Sequence, residues 1–362
     1  MPFDRSHRCP EPRARLGGLD AVRVGLVALT SPLLLSARAL ADDAASTFDT
    51  GIFSGVSTPA IQIQAYSLGV VAICAAIFVV VVGFGAWTVI RFRRRDEDDD
   101  REPPQIYGSN SLELAWTVIP LVIVFILALV TARAIVDLQL DKRPAGWLAV
   151  TAVGHQWWWE FQYPEYGITT ANELHIPVNR PGARRPTFLT LESEDVIHSF
   201  WIPRLAGKTD IIPNRTNHLW FEPLQTGLYV GQCSEYCGTQ HANMLLRVYV
   251  HSPTDFERWV REQQRDAVSD PRVADGRSVF LETACINCHT VRGTVATGQF
   301  GPDLTHLMSR QTLGAGVGTL DAKTLRAWVL NPDHLKPGVR MPAMGVEGES
   351  LDQLVSYLLS LK

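Results

Sequence analysis

An excess of charge of either sign is missing from this chain. Thirty-three Lys and Arg stand against 37 Asp and Glu, a formal net charge of −4 over 362 residues. A nucleic-acid binder would show a basic stripe or patch, so that class is excluded. Cysteine is scarce too, and six residues are too few for a disulfide-built scaffold. Charged residues reach only 19% and hydrophobic residues 46%, with a mean hydropathy of +0.04. That is too apolar for a disordered chain and too polar for a polytopic transporter. A few membrane spans joined to folded soluble parts fit, and the length suits two or three domains.

Residues 1–41 read as a secretory signal. Arg5, Arg8, Arg13, Arg15 and Arg23 precede a short apolar run from Val24, and Ala39-Leu40-Ala41 closes it before Asp42-Asp43. A third membrane anchor is the alternative, but the apolar run is short for a span. Two longer uncharged runs follow, Tyr66–Ile90 and Leu114–Ala132. At about 1.5 Å per residue each is near the length of a bilayer core, so spans are expected at about 66–90 and 113–135. Arg91, Arg93, Arg94 and Arg95 lie between them, ahead of the acidic Asp96–Asp100 cluster. Arginines set topology and acids count little, so this loop is cytoplasmic and everything after Ile135 is outside. Neither run contains histidine, so the pair holds no intramembrane haem or copper by itself. Asn110 is placed to cap the second span, with Glu113 at the third helical position.

From Trp147 to about Val250 the pattern is β. Alternating runs such as Leu148–Val153, Thr187–Leu191 and Leu245–Val250 are punctuated by Pro, Gly and Asn, which predicts an antiparallel sandwich or barrel. Near its end, Cys233, Cys237, His241 and Met244 fall on one loop before a final strand, and His198 is available from a distant strand. Thiolate, imidazole and thioether together suit copper, with two bridging thiolates able to hold a pair of ions. A structural zinc on His198, Cys233, Cys237 and His241 is a second reading, and a Cys233–Cys237 disulfide a third. Trp157 reads as a half-buried strand tryptophan that shares a face with Trp159, and Glu235 as a surface acid.

Longer motifs surround these residues: Leu114-Ala-Trp-Thr-Val-Ile-Pro120, Gly154-His-Gln-Trp-Trp-Trp, His198-Ser-Phe-Trp-Ile-Pro and Lys208-Thr-Asp-Ile-Ile-Pro213. Over roughly residues 50–255 the chain resembles subunit II of cytochrome c oxidase. The resemblance implies a cupredoxin fold with a binuclear copper A centre. Its ligands would be His198, Cys233, Cys237, His241, Met244 and the backbone carbonyl of Glu235. It further implies magnesium at the Glu235 carboxylate beside subunit I, electron access at Trp157, and a proton-path mouth at Glu113. All ligand positions match, unlike the quinol-oxidase relatives.

Residues 252–271 are polar and read as a short helical connector with a stripe of Phe256, Trp259 and Val260. Cys285-Ile-Asn-Cys288-His289 is a c-type haem attachment pattern: two thiols add across the haem vinyls and the histidine takes one axial position. Asp275–Ala284 reads as a helix leading into it, and residues from about Ser350 to Leu359 as a closing amphipathic helix. With Lys336-Pro-Gly-Val-Arg-Met341-Pro between them, residues 272–362 resemble a small class I cytochrome c. Met341 would be the second axial ligand by position; Met344 and Met308 are alternatives.

The expected fold class is a membrane-anchored multidomain chain. A signal peptide (1–41) precedes an N-terminal segment and two-helix transmembrane hairpin (42–136). An all-β cupredoxin sandwich (137–252), a linker (253–271) and a small all-α cytochrome c domain (272–362) follow. The resemblance implies that electrons pass from haem c through copper A to the haem–copper site of subunit I, where oxygen is reduced to water with proton pumping. The chain would be a subunit of an enzyme with no catalytic residue of its own. It would sit in a bacterial plasma membrane with subunits I and III, fed by a bc complex or a soluble cytochrome. A free-standing anchored copper and haem carrier serving another reductase is the alternative.

Overall fold

The computed structural model describes residues 50–93, 105–140, 142–182 and 184–362. The expected signal segment, Arg94, Arg95 and the Asp96–Asp100 cluster lie outside the described residues. Two long helices come first, α1 (Thr58–Arg91) and α2 (Asn110–Leu138). Both outrun the uncharged stretches, because helix continues into the polar flanks. Their apolar side chains face outward along both lengths, among them Phe78, Val89, Leu121 and Phe125, a surface suited to lipid. Pro120 lies inside α2. The cap expected at Asn110 is displaced: Ser109 is the N-cap, without a side-chain cap bond, and Glu113 falls one position deeper than the capping box requires.

The foot of α1 is tied to the β domain. Thr58 Oγ1–H donates to Glu222 Oε2 at 2.7 Å, the Glu222 N–H donates to Ser57 Oγ at 2.9 Å, and Arg184 pairs with the same carboxylate. Trp220 Nε1–H donates at 2.7 Å to the carbonyl of Leu138, which fixes the end of α2.

Ten strands follow: β1 (Leu148–His155), β2 (Trp158–Tyr163), β3 (Ile168–Ala171), β4 (Glu173–Pro177), β5 (Thr187–Ser193), β6 (His198–Trp201), β7 (Thr209–Ile211), β8 (Asn217–Phe221), β9 (Gly227–Cys233) and β10 (Leu245–His251). They form two five-stranded sheets ordered β3-β2-β1-β5-β8 and β4-β10-β9-β6-β7. The expectation of a purely antiparallel sandwich is corrected here. β1 pairs with β5, and β4 with β10, in parallel. Alternation along a strand reports which face is buried and carries no information on a partner's direction. Trp159, Phe161 and Tyr163 alternate along β2 with their rings fully buried; Phe200 meets the first two from β6, and Phe221 of β8 packs on Phe200. Each such ring contributes roughly 1.5–3 kcal/mol on burial.

Helix α3 (Pro253–Gln263) starts at Ser252, whose hydroxyl caps the Asp255 N–H. The stripe of Phe256, Trp259 and Val260 is buried in the same core as the strands, so this helix packs on the sheet. The C-terminal part is helical: α4 (Ala274–Glu282), the single turn α5 (Cys285–Cys288), α6 (Ala322–Leu330), the turn α7 (Pro332–Leu335) and α8 (Gly348–Ser360). A two-residue ladder, β11 (Thr312–Leu313) with β12 (Gly318–Thr319), sits between them. Phe280 of α4 meets Tyr357 of α8 with ring centroids 5.6 Å apart, and Leu351, Leu354, Val355 and Leu358 complete that core.

Candidate metal centres

The ends of two neighbouring strands and one loop build the first centre. β9 ends at Cys233, the loop turns through Cys237 to His241, and Met244 precedes β10. β6 begins at His198 and pairs with β9, with Phe200 opposite Cys233, which brings the distant histidine to the loop. Cys233 and Cys237 are not bonded to each other; their sulfurs lie 3.7 Å apart. His198 Nδ1 stands 3.9 Å from Cys233 Sγ, and His241 Nδ1 stands 3.6 Å from Cys237 Sγ. Met244 Sδ is 3.9 Å from Cys237 Sγ, and the Glu235 carbonyl is 3.2 Å from Cys233 Sγ. His198, Cys233 and Cys237 bring their donor atoms within 4.8 Å of one another. His198, Cys233, Cys237 and Met244 are buried together, with the half-buried His241 at their margin. The open thiol pair, with a donor on each flank, suits the binding of a soft metal such as copper.

The second layer decides how the imidazole is held. Asp195 Oδ1 lies 2.9 Å from His198 Nε2, so Nε2–H donates to the carboxylate and Nδ1 is left facing the thiols. The backbone N–H groups of Gln156 and Val196 also donate to Asp195, each at 2.7 Å. Burial opposes the charge on Asp195, but these bonds outweigh it and hold the carboxyl below its usual range. Burial likewise opposes a charge on His198, and the bonds to Asp195 and Cys233 outweigh it, so its pKa is raised. Of the two thiols, Cys233 is the readier to ionise: its hydrogen bonds with Cys237 and His198 outweigh burial and lower its pKa. Gly154 is a close approach. A Cβ there would meet His198 Cδ2 at 2.8 Å, so β1 presses directly on the ring.

Trp157 is not in a strand. It sits in the turn between β1 and β2, which corrects the strand reading, yet its ring still turns inward beside Trp159 and is 9% exposed. Its indole N–H donates to the Cys237 carbonyl at 2.9 Å, and Gln156 Nε2–H donates to the same oxygen at 2.8 Å. The Glu235 side chain is exposed on the loop, and Glu113 is exposed at the start of α2, on an element separate from the thiol cluster.

The second centre lies around α5. Cys285 and Cys288 are free thiols on one helical turn, and His289 follows directly. His289 Nδ1–H donates to the Pro302 carbonyl at 2.8 Å, which leaves the Nε2 lone pair as the available donor. Burial lowers the pKa of this ring, which favours the neutral, ligating form. A Cβ at Gly301 would meet His289 Cε1 at 2.6 Å, so the residue beside the ring has to be glycine. Two free thiols one turn apart beside a neutral, oriented imidazole fit covalent haem attachment. Met341 and Met344 are both half-buried in the segment before α8, with Met344 against the domain core.

Sequence reasoning passed over Asp195, Gln156, Glu173 and Lys336. Asp195 lies three residues before His198, the one signal available. The others act through backbone carbonyls and N–H groups, which a side-chain motif does not encode.

The sequence matches three families in order. Residues 46–133 match the cytochrome C oxidase subunit II transmembrane domain, 169–250 its periplasmic domain, and 273–362 cytochrome c. Cytochrome c oxidase subunit 2 of Alkalihalophilus pseudofirmus is 34% identical over 307 residues, covering 82% of this chain and 87% of that protein. The chain belongs to the cytochrome c oxidase subunit II family. The Bacillus subtilis cytochrome c oxidase subunit 2 is 30% identical over 76% of this chain and 82% of its own length. Quinol oxidase subunit 2 of Bacillus subtilis is 33% identical over 53% of this chain and 60% of that protein. This subunit II is thus a two-pass membrane protein with extracytoplasmic soluble domains and a C-terminal cytochrome c fold. It has an electron-transfer role in a cytochrome or quinol oxidase complex, associates with other oxidase subunits, and has the potential to bind copper and haem.

Proposed function

We propose that the chain is subunit II of a cytochrome c oxidase with a fused electron donor. Electrons would run from haem c through a binuclear copper A centre to the haem–copper site of subunit I, where oxygen is reduced to water with proton pumping. The observation that carries this reading is the unbonded thiol pair 3.7 Å apart with an imidazole Nδ1 beside each sulfur. A quinol oxidase has no use for such a set, and a chain with a haem attachment motif and this set has both ends of a relay.

His198, Cys233, Cys237, His241, Met244 and the Glu235 carbonyl would hold the copper pair, which supplies one-electron exchange with little rearrangement of its ligands. Asp195 fixes the ring of His198, and the hydrogen bonds from Trp157 and Gln156 fix the Cys237 peptide. Cys285 and Cys288 would attach the haem, with His289 and Met341 as axial ligands; a histidine–methionine pair raises the haem potential. Pro302 sets the tautomer of His289. The exposed Glu235 carboxylate would share a magnesium ion with subunit I, and the exposed Glu113 would stand at the mouth of a proton path. The soluble domains would take electrons from a bc complex or a soluble cytochrome.

The test is a copper-to-haem ratio on the full chain, matured in a host that attaches c-type haem and supplied with copper, with electron spin resonance of the oxidised form. Two coppers per haem with one unpaired electron shared over both is the expected result. One copper, or zinc alone, would overturn the binuclear assignment.

A further inference from the structure

Lys336 is 1% exposed, yet it belongs to the C-terminal domain and its head group reaches the copper domain. Nζ donates to three backbone carbonyls: Trp157 at 2.8 Å, Asn243 at 2.8 Å and Gly314 at 2.7 Å. The first two belong to the copper domain and flank its donor set. Trp157 donates to the Cys237 carbonyl, and Asn243 precedes Met244. The third lies in the β11–β12 turn of the C-terminal domain. An ammonium has three N–H groups, and here each finds a carbonyl from a separate segment. Burial lowers its pKa to about 7, with the nearby Cys237 opposing the shift. A neutral amine, however, would turn its lone pair against a carbonyl oxygen, so the charged form fits this socket.

Further bonds join the same two surfaces. The Leu245 N–H donates to the Ala315 carbonyl at 3.0 Å, and Gln240 Nε2–H donates to the Pro337 carbonyl at 2.6 Å. Arg340 donates to Gln156 Oε1, whose own amide holds the Cys237 carbonyl. From the opposite side, Glu173 of β4, itself 1% exposed, takes the N–H groups of Gln311 and Thr312 and the Thr312 hydroxyl on Oε1 at 2.8–2.9 Å. Each domain therefore buries an ionisable side chain against backbone groups contributed at least partly by the other. Such groups are costly to bury and unforgiving of a shift, so they set one docking geometry and penalise others.

We propose that Lys336 is a positioning residue that locks the C-terminal domain onto the copper loop, so that the two electron-transfer domains form one fixed unit. The proposal rests on the reading of the two centres given above for its functional meaning, but the bonds of the lock are made to backbone carbonyls and to no metal or haem atom. Lys336 precedes the Met341 segment by one short turn, so the lock also fixes the part of the cytochrome that would carry the axial methionine. A domain held in this way needs no search before each transfer.

The test is amide hydrogen exchange on the full chain, matured with its haem, comparing the unaltered protein with Lys336→Met. In the unaltered chain, Leu245, Gln311 and Thr312 are expected to exchange as slowly as buried strand amides of β1. In the variant they are expected to speed up at least tenfold, while amides of β1 and α8 stay as they were. In the loaded protein, haem-to-copper transfer is expected to slow at least tenfold, with the haem absorption and copper spin-resonance signals unchanged. Equal acceleration throughout α8 would mean that Lys336 only supports the cytochrome fold, and would overturn the proposal. Should the variant fail to fold, the unaltered chain still decides: seam amides exchanging as fast as exposed loops would sink it. A failed copper-to-haem ratio would remove the relay and leave this exchange result standing, so the two readings fail separately.

Discussion

Replacing Gly154 with alanine tests whether the backbone of β1 sets the position of a metal ligand. The added Cβ would stand 2.8 Å from His198 Cδ2 and 3.2 Å from Cγ, roughly 0.6 Å inside ordinary contact for the nearer atom. The ring has nowhere to retreat. It is fully buried, its Nε2 is tied to Asp195 at 2.9 Å, and the Trp159 ring centroid is 6.1 Å away. β1 cannot easily back off either, because it pairs with β2 on one side and β5 on the other through Gly154 itself. Overpacking of this kind costs about 1–3 kcal/mol. For a domain of this size that lowers the melting temperature by roughly 4–20 °C. The strain falls on the metal-binding ring, so copper occupancy should fall with it. Differential scanning calorimetry of the apo chain and copper stoichiometry of the loaded one read the two effects. An unchanged melting temperature together with two coppers and an unaltered spin-resonance signal would refute the reasoning, since it would show that the ring is free to move.

Three further outcomes follow from the same geometry. Asp195→Asn keeps the shape beside His198 but removes the charge that makes the imidazole a stronger donor, so copper affinity should fall roughly 10–100-fold, read by competition with a chelator. Glu222 is held below the usual carboxylate range, because the bonds from Arg184 and Thr58 outweigh its burial. Its contribution is therefore complete above the unfolded value near 4.5 and fades as pH falls through the lower folded value, so the stability gap between the unaltered chain and Glu222→Gln should close in acid. Cys285→Ala leaves one thiol for attachment, so the reduced pyridine spectrum of the haem should shift to longer wavelength, where one vinyl remains conjugated.

The membrane hairpin, the β domain, the soft-donor loop and the haem motif were legible in the sequence because each is written in side chains. Charge-free length marks a span, alternation marks a strand, and Cys, His and Met name their own chemistry. Strand direction was not legible: β1–β5 and β4–β10 run parallel, and nothing in an alternating pattern carries that sign. Nor was the place of Trp157, since a run of three tryptophans gives the same alternation whether its first member lies in the strand or in the preceding turn. Lys336 sat inside a quoted motif, but its partners are carbonyl oxygens, which every residue has. A side chain that recognises backbone leaves no trace in the partner's sequence.

The charge balance of the C-terminal domain acquires a physical meaning at this seam. Residues 270–362 carry nine basic and nine acidic side chains, so the domain has no net field with which to find a partner. A mobile carrier relies on such a field to raise its encounter rate. A tethered one is supplied by its linker with a high local concentration. Tethering alone would still allow many orientations, and long-range charge would do little to choose among them once screened by salt. Buried, directional bonds do choose, because displacing the C-terminal domain takes the ammonium away from the Trp157 and Asn243 carbonyls at once. Lys336 and Glu173 therefore occupy the place that surface charge holds in a diffusing cytochrome: they select the orientation at contact, after the chain itself has brought the domains together.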